Sequence, residues 1–210
     1  SPSSGTEHEF RVETPRLDDS HTPLTDEERD DLIPTQLATR GELNQWEAVN
    51  IAQALRWLSQ RRRPNVLSVE FLGALHRRMF NQTWRWAGTY RRSDNNISPH
   101  AWHAVPVLVR DLVENTHARH AVSDKSDDAL DDVAVGFHHE LVRIHPWPNG
   151  NGRHARLATD LLLAQWRRPH FTWGGGADLA ATGDARARYL NALRSADAGD
   201  LSVLGDFCRS

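Results

Sequence analysis

The segment His145-Pro-Trp-Pro-Asn149-Gly-Asn-Gly-Arg153-His-Ala-Arg156 carries more information about fold and function than the rest of the chain. It follows an apolar-periodic stretch that ends at the histidine, and its Pro, Asn and Gly residues are typical of a tight turn. The residues after the turn predict a helix that begins with the two arginines. Asn-Gly and Pro-Asn pairs are also ordinary turn chemistry between helices, so turn composition alone indicates no function.

The turn and the helix after it predict a phosphate site. Gly150 and Gly152 carry no side chain, so their backbone N–H groups can approach a ligand closely. A helix N-terminus has unpaired N–H donors and a partial positive charge, which together favour an anion. Arg153 and Arg156 are three residues apart, so both can face one side of the helix and bind phosphate oxygens. A polyphosphate across the turn would bring its reacting end near His145, as in a nucleotide-using transferase.

The segment resembles the signature of the Fic/Doc family, H-x-F-x-(D/E)-G-N-G-R-x-x-R. The chain is similar in particular to the subgroup of this family called mobile mystery protein B, from about Thr22 to Phe207. Matching stretches outside the signature are Gly41-Glu-Leu-Asn-Gln-Trp-Glu47, Trp84-Arg-Trp-Ala-Gly88 and Phe137-His-His-Glu-Leu-Val-Arg-Ile144.

The resemblance implies a protein adenylyltransferase that uses ATP. It implies that His145 deprotonates a Ser, Thr or Tyr hydroxyl of a target protein. The hydroxyl then attacks the α-phosphorus of ATP, so that AMP stays on the target and pyrophosphate leaves. The backbone of Gly150, Asn151 and Gly152 would cradle the phosphates. By the same resemblance, Arg156 binds the γ-phosphate and Arg153 binds the phosphates inside it.

Two positions depart from the signature. Trp147 replaces Phe and is predicted to anchor the core. Asn149 replaces an acidic residue that holds the phosphate-bridging Mg²⁺ in family members. An amide oxygen can ligate a hard cation but lacks the charge that makes such a site tight. Asn149 is therefore the candidate metal ligand for an expected Mg²⁺. Two alternatives stay open: transfer of another group (UMP, phosphocholine or phosphate), and a nucleotide- or protein-binding module with weakened catalysis.

Residues 84–99 are predicted to form a β-hairpin. Trp84, Trp86 and Tyr90 alternate, and Ser93-Asp-Asn-Asn96 supplies turn residues. The resemblance implies a flap that pairs with the target's backbone by strand addition. The candidate residues for that docking edge are Asn95, Asn96 and Ile97. A hairpin that only covers the core is the alternative.

Regulation is expected from within the chain or from a partner. Many family members contain an inhibitory helix of pattern (S/T)-x-x-x-E-(G/N), whose glutamate pairs with the second arginine of the signature. The chain has no full match, and Ala38-Thr-Arg-Gly-Glu42-Leu-Asn44 comes near. Glu42 is therefore the candidate inhibitory residue, with helix capping as the alternative. The resemblance favours a separate antitoxin-like inhibitor of the mobile mystery protein A type, which would make this chain the toxin of a toxin–antitoxin-like pair.

Helical periodicity predicts a mainly α domain. Five apolar residues at helical spacing mark a central helix that Ser126 would cap: Leu130, Val133, Phe137, Leu141 and Ile144. Other helices are predicted over Glu42–Gln60, Val69–Asn81, from about His103, over Asn151–Trp166 and over Asp184–Ala198. With the resemblance, the expected fold is a Fic-type helical bundle with a small β-hairpin flap. Residues 1–22 are polar and predict a poorly ordered tail before a domain over residues 23–210.

The composition favours no large charged or membrane partner. The formal net charge of the 210 residues is −3, which gives no bulk attraction to nucleic acid or anionic lipid. Cys208 is the single cysteine, so no intramolecular disulfide is expected. No stretch predicts a membrane span. We therefore expect a cytoplasmic protein that binds neither nucleic acid nor membrane.

Overall fold

The computed structural model describes residues 22–60, 64–175, 179 and 183–210, and these residues are mainly α-helical. The predicted tail over residues 1–22 lies outside this range except for Thr22, and it stays a prediction. The helices are α1 (Asp26–Asp31), α2 (Arg40–Ser59), α3 (Val69–Phe80), α4 (Val105–Val122), α5 (Asp127–Ile144), α6 (Asn151–Gln165), α7 (Asp184–Asp197) and α8 (Ser202–Arg209), with a 3₁₀ turn over Trp102–Ala104 before α4. Of the helices in the described part, none has the length and apolar character that crossing a bilayer requires.

Side-chain caps explain where several helices begin. Ser68 and Ser126 accept hydrogen bonds from the third backbone N–H of α3 and α5, and the predicted cap of the central helix is thereby confirmed. At the start of α2, Thr39 and Glu42 form a reciprocal capping box. These local bonds define helix ends that hydrophobic periodicity alone leaves uncertain by a few residues.

The central helix α5 packs against α4, α6 and α8, while α3 joins α2 to α6. The apolar stripe of α5 contributes Phe137, Leu141 and Ile144 to the main core, as predicted. A second apolar cluster lies around Tyr189 and Phe207, where α7 and α8 cover α5 and α6. Helix α8 was not predicted, since its eight residues are too few for a clear periodic signal. The bundle places the α5–α6 turn between α3 and the segment that follows α3 in the chain.

The predicted β-hairpin is wrong. All of residues 84–99 are described, and they form turns and bends with no β-ladder. Ala87 and Thr89 donate their backbone N–H groups to Trp84 O and Trp86 O, three residues back, as in successive turns. The indoles of Trp84 and Trp86 stack at 5.0 Å between ring centroids, so this contact does not require a strand. Isolated bridges join Leu32 to Trp84 and Pro23 to Thr39.

Candidate active site

The turn between α5 and α6 is supported by the buried ring of Trp147. This indole stacks on His76 at 4.4 Å and on Tyr90 at 4.9 Å between ring centroids. The side chain of Asn151 closes the turn, because its Nδ2 donates to Trp147 O at 2.8 Å and its Oδ1 accepts from Trp147 N–H at 2.9 Å. Trp147 is therefore the core anchor that the sequence predicted. Ring stacking on Trp147 and the side-chain amide of Asn151 therefore hold the turn in position.

Gly150 lets this turn lie against α3. Its φ is +79°, and a Cβ at this position would be 2.5 Å from the Phe80 ring. His76, on the same helix, donates from Nε2 to Asn149 O at 3.1 Å and accepts the Gly88 N–H at Nδ1. These partners assign the neutral tautomer with hydrogen on Nε2. Burial also holds the pKa of His76 well below its usual value, so the ring stays neutral.

His145 caps the C-terminus of α5 in a left-handed backbone conformation, with φ 52° and ψ 61°. Its side chain is half-buried and its Nδ1 is shielded from solvent, which leaves Nε2 to exchange a proton with a ligand. Burial lowers the pKa of His145; the Val142 backbone opposes this effect, and the positive charge of Arg91 adds a smaller lowering. The imidazole is therefore neutral near pH 7, as a general base requires.

The N-terminus of α6 offers an anion site directly after this histidine. The backbone N–H groups of Asn151, Gly152 and Arg153 occupy its first three positions and have no partner among the described residues. The N–H of Gly150 is occupied, since it donates to Oδ1 of Asn149 at 2.6 Å. Of the predicted cradle of Gly150, Asn151 and Gly152, the last two therefore have free backbone N–H groups in this conformation, and Gly150 does not.

Arg153 is held by a carboxylate that the sequence analysis did not identify. Its Nη1 donates to Glu47 Oε2 at 2.7 Å, and its guanidinium lies 5.1 Å from the centroid of the Phe80 ring. The Glu47 side chain is 2% exposed and also accepts the indole N–H of Trp84 at 2.7 Å. A phosphate that binds Arg153 must compete with this pair.

Arg156 contacts a different part of the bundle. Its guanidinium lies 5.6 Å from the centroid of the Tyr189 ring, on α7. The Tyr189 hydroxyl is 2.9 Å from Nε2 of the buried His138, and burial raises the pKa of this tyrosine to about 12. Arg153 thus contacts Glu47 of α2, whereas Arg156 contacts Tyr189 of α7.

The residues at the turn do not fit a tight magnesium site. The candidate ligand, Asn149 Oδ1, already accepts the Gly150 N–H. The carboxylate beside the motif, Glu47, is occupied by Arg153 and Trp84. Among residues 22–60, 64–175, 179 and 183–210, no cluster of three His, Cys, Asp or Glu could hold a metal. One neutral, hydrogen-bonded oxygen lacks the charge and the ligand number of a dedicated Mg²⁺ site.

The predicted docking residues lie in the turns that precede α4. Ile97 is 67% exposed and Asn96 is also exposed, as a docking edge requires. Asn95 differs, because its Oδ1 accepts the N–H groups of Ile97 at 3.0 Å and Ser98 at 2.8 Å. This turn occupies the N–H that Ile97 would offer to a target strand, so the segment is not an open strand edge.

Glu42, the candidate inhibitory residue, acts as a helix cap. Its carboxylate accepts the N–H groups of Ala38 at 2.7 Å and Thr39 at 3.0 Å. These bonds lower the pKa of Glu42 and hold it at the start of α2. The pairing with Arg156 that inhibition required is not formed, and the capping alternative describes the observed geometry.

Three residues that contact the site were not identified from the sequence: Glu47, His76 and Arg91. A signal existed for Glu47, because it lies on the buried face of α2 in register with Leu43, Asn50, Ala54 and Leu58. A lone carboxylate on a buried helix face needs a partner. His76 lies on the buried face of α3, where a neutral core histidine gives no separate signal.

Comparison with known proteins agrees with this geometry. Residues 66–163 match the Fic/DOC family. The chain is 27% identical over 140 residues to "Protein adenylyltransferase Fic" of Nematostella vectensis, covering 63% of this chain and 32% of the relative. It is 30% identical over 125 residues to "Probable protein adenylyltransferase aq_aa38" of Aquifex aeolicus, covering 57% and 34%. The chain thus spans about a third of the length of these curated relatives.

Solved structures share the fold. BepC of Bartonella tribocorum, with AMPPNP bound, superposes with a TM-score of 0.66 at 14% identity over 86% of this chain and 95% of that protein. Fic-1 of Caenorhabditis elegans superposes with a TM-score of 0.63 at 23% identity over 87% of this chain and 51% of that one. At these identities the likeness concerns the fold alone.

Proposed function

We propose that this chain is a protein adenylyltransferase of the Fic/DOC family, which residues 66–163 match. The proposed reaction moves AMP from ATP to a Ser, Thr or Tyr hydroxyl of a target protein. Two relatives, from Nematostella vectensis and Caenorhabditis briggsae, are named as protein adenylyltransferases. Fic-domain proteins with AMPPNP and with ADP bound share the fold. These likenesses support ATP as the co-substrate.

The proposed chemistry uses groups at the α5–α6 turn. His145 accepts the proton of the target hydroxyl, whose oxygen forms a bond to the α-phosphorus. The bond from the α-phosphorus to the bridging oxygen breaks, and pyrophosphate leaves with the electron pair. The backbone N–H groups at the start of α6 stabilise the charge on the phosphates as it redistributes.

One observation carries this proposal: a half-buried, neutral histidine stands directly before a helix N-terminus whose first three N–H groups are free. His145 and the start of α6 are separated only by the turn over residues 146–150. A base and a phosphate cradle are the two parts that nucleotidyl transfer requires.

Charge neutralisation is assigned to the protein rather than to a tightly held metal. The turn offers no free carboxylate to Mg²⁺, whereas Arg153, Arg156 and the α6 N-terminus supply positive charge. The proposed reaction accordingly uses no protein-bound magnesium ion.

The Glu47–Arg153 pair supports a restrained state of the enzyme. In the described conformation the Arg153 guanidinium binds a buried carboxylate, whereas the proposed reaction needs it on a phosphate. Entry of ATP must replace a charge-assisted hydrogen bond of 2.7 Å. We propose that this competition lowers the resting activity.

Labelled nucleotides test the proposed reaction. The purified chain is incubated in a cell lysate with ATP labelled on either the α- or the γ-phosphorus, and mass spectrometry identifies the modified protein. Transfer of the α label alone, lost in His145→Ala, is the expected result. Transfer of the γ label would instead identify a kinase. Equal labelling by wild type and His145→Ala would refute the proposed role of the histidine.

A binding module is the second candidate function, and Asn149 favours it. Its neutral amide caps Gly150 where a metal-binding carboxylate would stand. In that case ATP binds with unchanged affinity in His145→Ala, and no label reaches any protein. Transfer of UMP or phosphocholine is tested by the same assay with the corresponding labelled donor.

The proposed cellular setting follows from the co-substrate. ATP is abundant in the cytoplasm, and the single cysteine gives no disulfide that would need an oxidising compartment. We propose that the chain acts there as the toxin of a toxin–antitoxin-like pair. A separate antitoxin-like protein of the mobile mystery protein A type would then reduce labelling when it is added to the assay.

A further inference from the structure

Arg91 is a buried cation that donates hydrogen bonds to the backbone at the proposed catalytic histidine and to the backbone of the segment before α4. The residue is 3% exposed. Its Nε donates to His145 O at 2.9 Å, and its backbone N–H donates to Pro146 O at 2.9 Å. Nη1 and Nη2 donate to Ser93 O at 3.0 Å and to His100 O at 2.7 Å. One side chain thus joins the end of α5 to the segment before α4.

The bonds to His145 and Pro146 act on a strained point of the backbone. His145 has φ 52°, a left-handed conformation that residues with a Cβ adopt rarely. The direction of a side chain depends on its backbone conformation, so this φ determines where the imidazole points. By binding the carbonyls of two consecutive residues, Arg91 holds the chain in the conformation that turns it from α5 into the phosphate turn.

Anchoring the segment before α4 does not require Arg91. Ser98 Oγ contacts the carbonyls of Arg143 and Ile144, at 2.9 and 3.1 Å, and so fastens the same segment to α5 without a charge. A buried guanidinium is costly, and the nearby carboxylate of Asp94 lies 3.6 Å from Nη1 with its own side chain 67% exposed. Anchoring of this segment therefore does not explain why the buried residue at position 91 is charged.

We propose that Arg91 is a positioning residue for the adenylyl transfer, holding His145 so that its imidazole faces the α6 N-terminus. This inference rests on the proposed function. Arg91 also acts through its charge, since it lowers the pKa of His145 in addition to the effect of burial. Arg143 and Glu140 on α5 act on the pKa of His100, as Arg91 also does. One residue thus holds the base in place and favours its neutral form.

The first test measures the titration and the backbone conformation of His145 itself, so it does not depend on catalysis. Histidine-labelled chain is titrated by NMR, and the His145 signal is identified by its loss in His145→Gln. In Arg91→Gln we expect the His145 midpoint to move up toward its usual value, because a positive charge is lost. Arg91→Lys keeps a charge but cannot reach three carbonyls. Its midpoint should stay near that of wild type, while the backbone carbon shifts of His145 move away from left-handed values.

Ser98→Ala is the matched control, because it weakens the same segment without changing a charge. It should lower the melting temperature and leave the His145 midpoint in place. An unchanged midpoint in folded Arg91→Gln, or unchanged backbone shifts in Arg91→Lys, would overturn the proposal. If Arg91→Gln does not fold, the backbone shifts in Arg91→Lys decide the question alone.

The second test uses the rate of AMP transfer. In Arg91→Lys, kcat should fall about 100-fold, as expected for a misplaced base, with KM for ATP nearly unchanged. In Arg91→Gln the acidic limb of the pH–rate profile should also move to higher pH. A kcat equal to that of wild type in both variants contradicts the positioning role. If wild type transfers no AMP, the proposed function fails, while the NMR result still shows whether Arg91 holds His145.

Discussion

The guanidinium of Arg153 and the carboxylate of Glu47 meet at 2.7 Å, although the two residues are 106 positions apart in the chain. Glu47 is 2% exposed and Arg153 is 25% exposed, so water screens this pair only in part. An arginine of the signature is thereby tied to α2, outside the segment that matches the family. If the chain binds a nucleotide as proposed, its affinity should therefore depend on the packing of α2.

Neutralising Glu47 should strengthen nucleotide binding. In Glu47→Gln the amide can still accept the Trp84 N–H, while Arg153 becomes free for a phosphate. We expect the Kd for ATP to fall about tenfold, which corresponds to about 1.4 kcal/mol. Calorimetric titration measures this, and Glu114→Gln, on the exposed surface of α4, is the charge-matched control. Weaker ATP binding in Glu47→Gln would show that the pair supports the phosphate site rather than competing with it.

Asn149→Asp should create a dependence on magnesium. The wild-type turn offers Mg²⁺ no free carboxylate, so the Kd for ATP should agree within about threefold between excess Mg²⁺ and EDTA. With aspartate at this position, Mg²⁺ should tighten ATP binding clearly, whereas Asn115→Asp on α4 should not. A strong Mg²⁺ effect on the wild-type chain itself would refute the assignment.

Substitutions of Gly150 in the turn and of Gly152 in α6 should distinguish an effect on folding from an effect on ATP binding. Gly150→Ala places a Cβ 2.5 Å from Phe80 at a φ of +79°, and we expect a loss of roughly 2–4 kcal/mol in unfolding free energy. At Gly152 an added Cβ meets nothing closer than Arg156 Nη1 at 3.5 Å. Gly152→Ala should therefore keep full stability but weaken ATP binding, because its methyl group stands beside a free N–H. Urea unfolding and ATP titration distinguish the two variants.

Ile97→Ala should affect the target and not the nucleotide. The side chain is 67% exposed, so its removal should change the unfolding free energy by less than about 0.5 kcal/mol. Labelling of the target protein should fall while the Kd for ATP stays constant. Val122→Ala, at an 86% exposed residue of α4, is the control for removal of an exposed apolar side chain. Equal target labelling by both variants would exclude Ile97 from target docking.

Acid should destabilise the bundle through its buried histidines. Burial lowers the pKa of His154 to about 4, below that of the unfolded chain, so the unfolded state binds the extra proton first. Stability is complete above the usual pKa of 6.5 and falls as the pH drops toward 4. Between pH 7 and 5 the loss from His154 should be about 2 kcal/mol. Urea unfolding at pH 7 and at pH 5 measures this loss. The decrease in unfolding free energy between the two pH values should be smaller by that amount in His154→Gln than in wild type.

Local patterns predicted most of the helices and the α5–α6 turn. The stripe ending at Ile144, the cap at Ser126 and the turn residues after His145 are all short-range signals, and each was confirmed. The alternating aromatics at Trp84 and Trp86 gave the wrong prediction, because successive turns can also bring two such rings into a stack. Turn backbone and strand backbone are not distinguished by a period of two over so few residues.

The partners of the site residues were not predictable, because they come from distant segments. Glu42 was chosen for its place in a sequence pattern, whereas Glu47 reaches Arg153 only once α2 packs beside α3 and α6. Arg91 gives no periodic signal, and its role depends on carbonyls of the α5 terminus. Sequence spacing also could not show that Asn149 turns its amide toward Gly150.

The stacked rings of Trp147, His76 and Tyr90 mean that the phosphate turn is preorganised before ATP arrives. Little backbone entropy should be lost when the proposed nucleotide binds, so its interaction energy would displace Glu47 from Arg153 rather than order a loop. Association should consequently be limited by the opening of one ion pair, and the on-rate for ATP should rise when α2 is loosened.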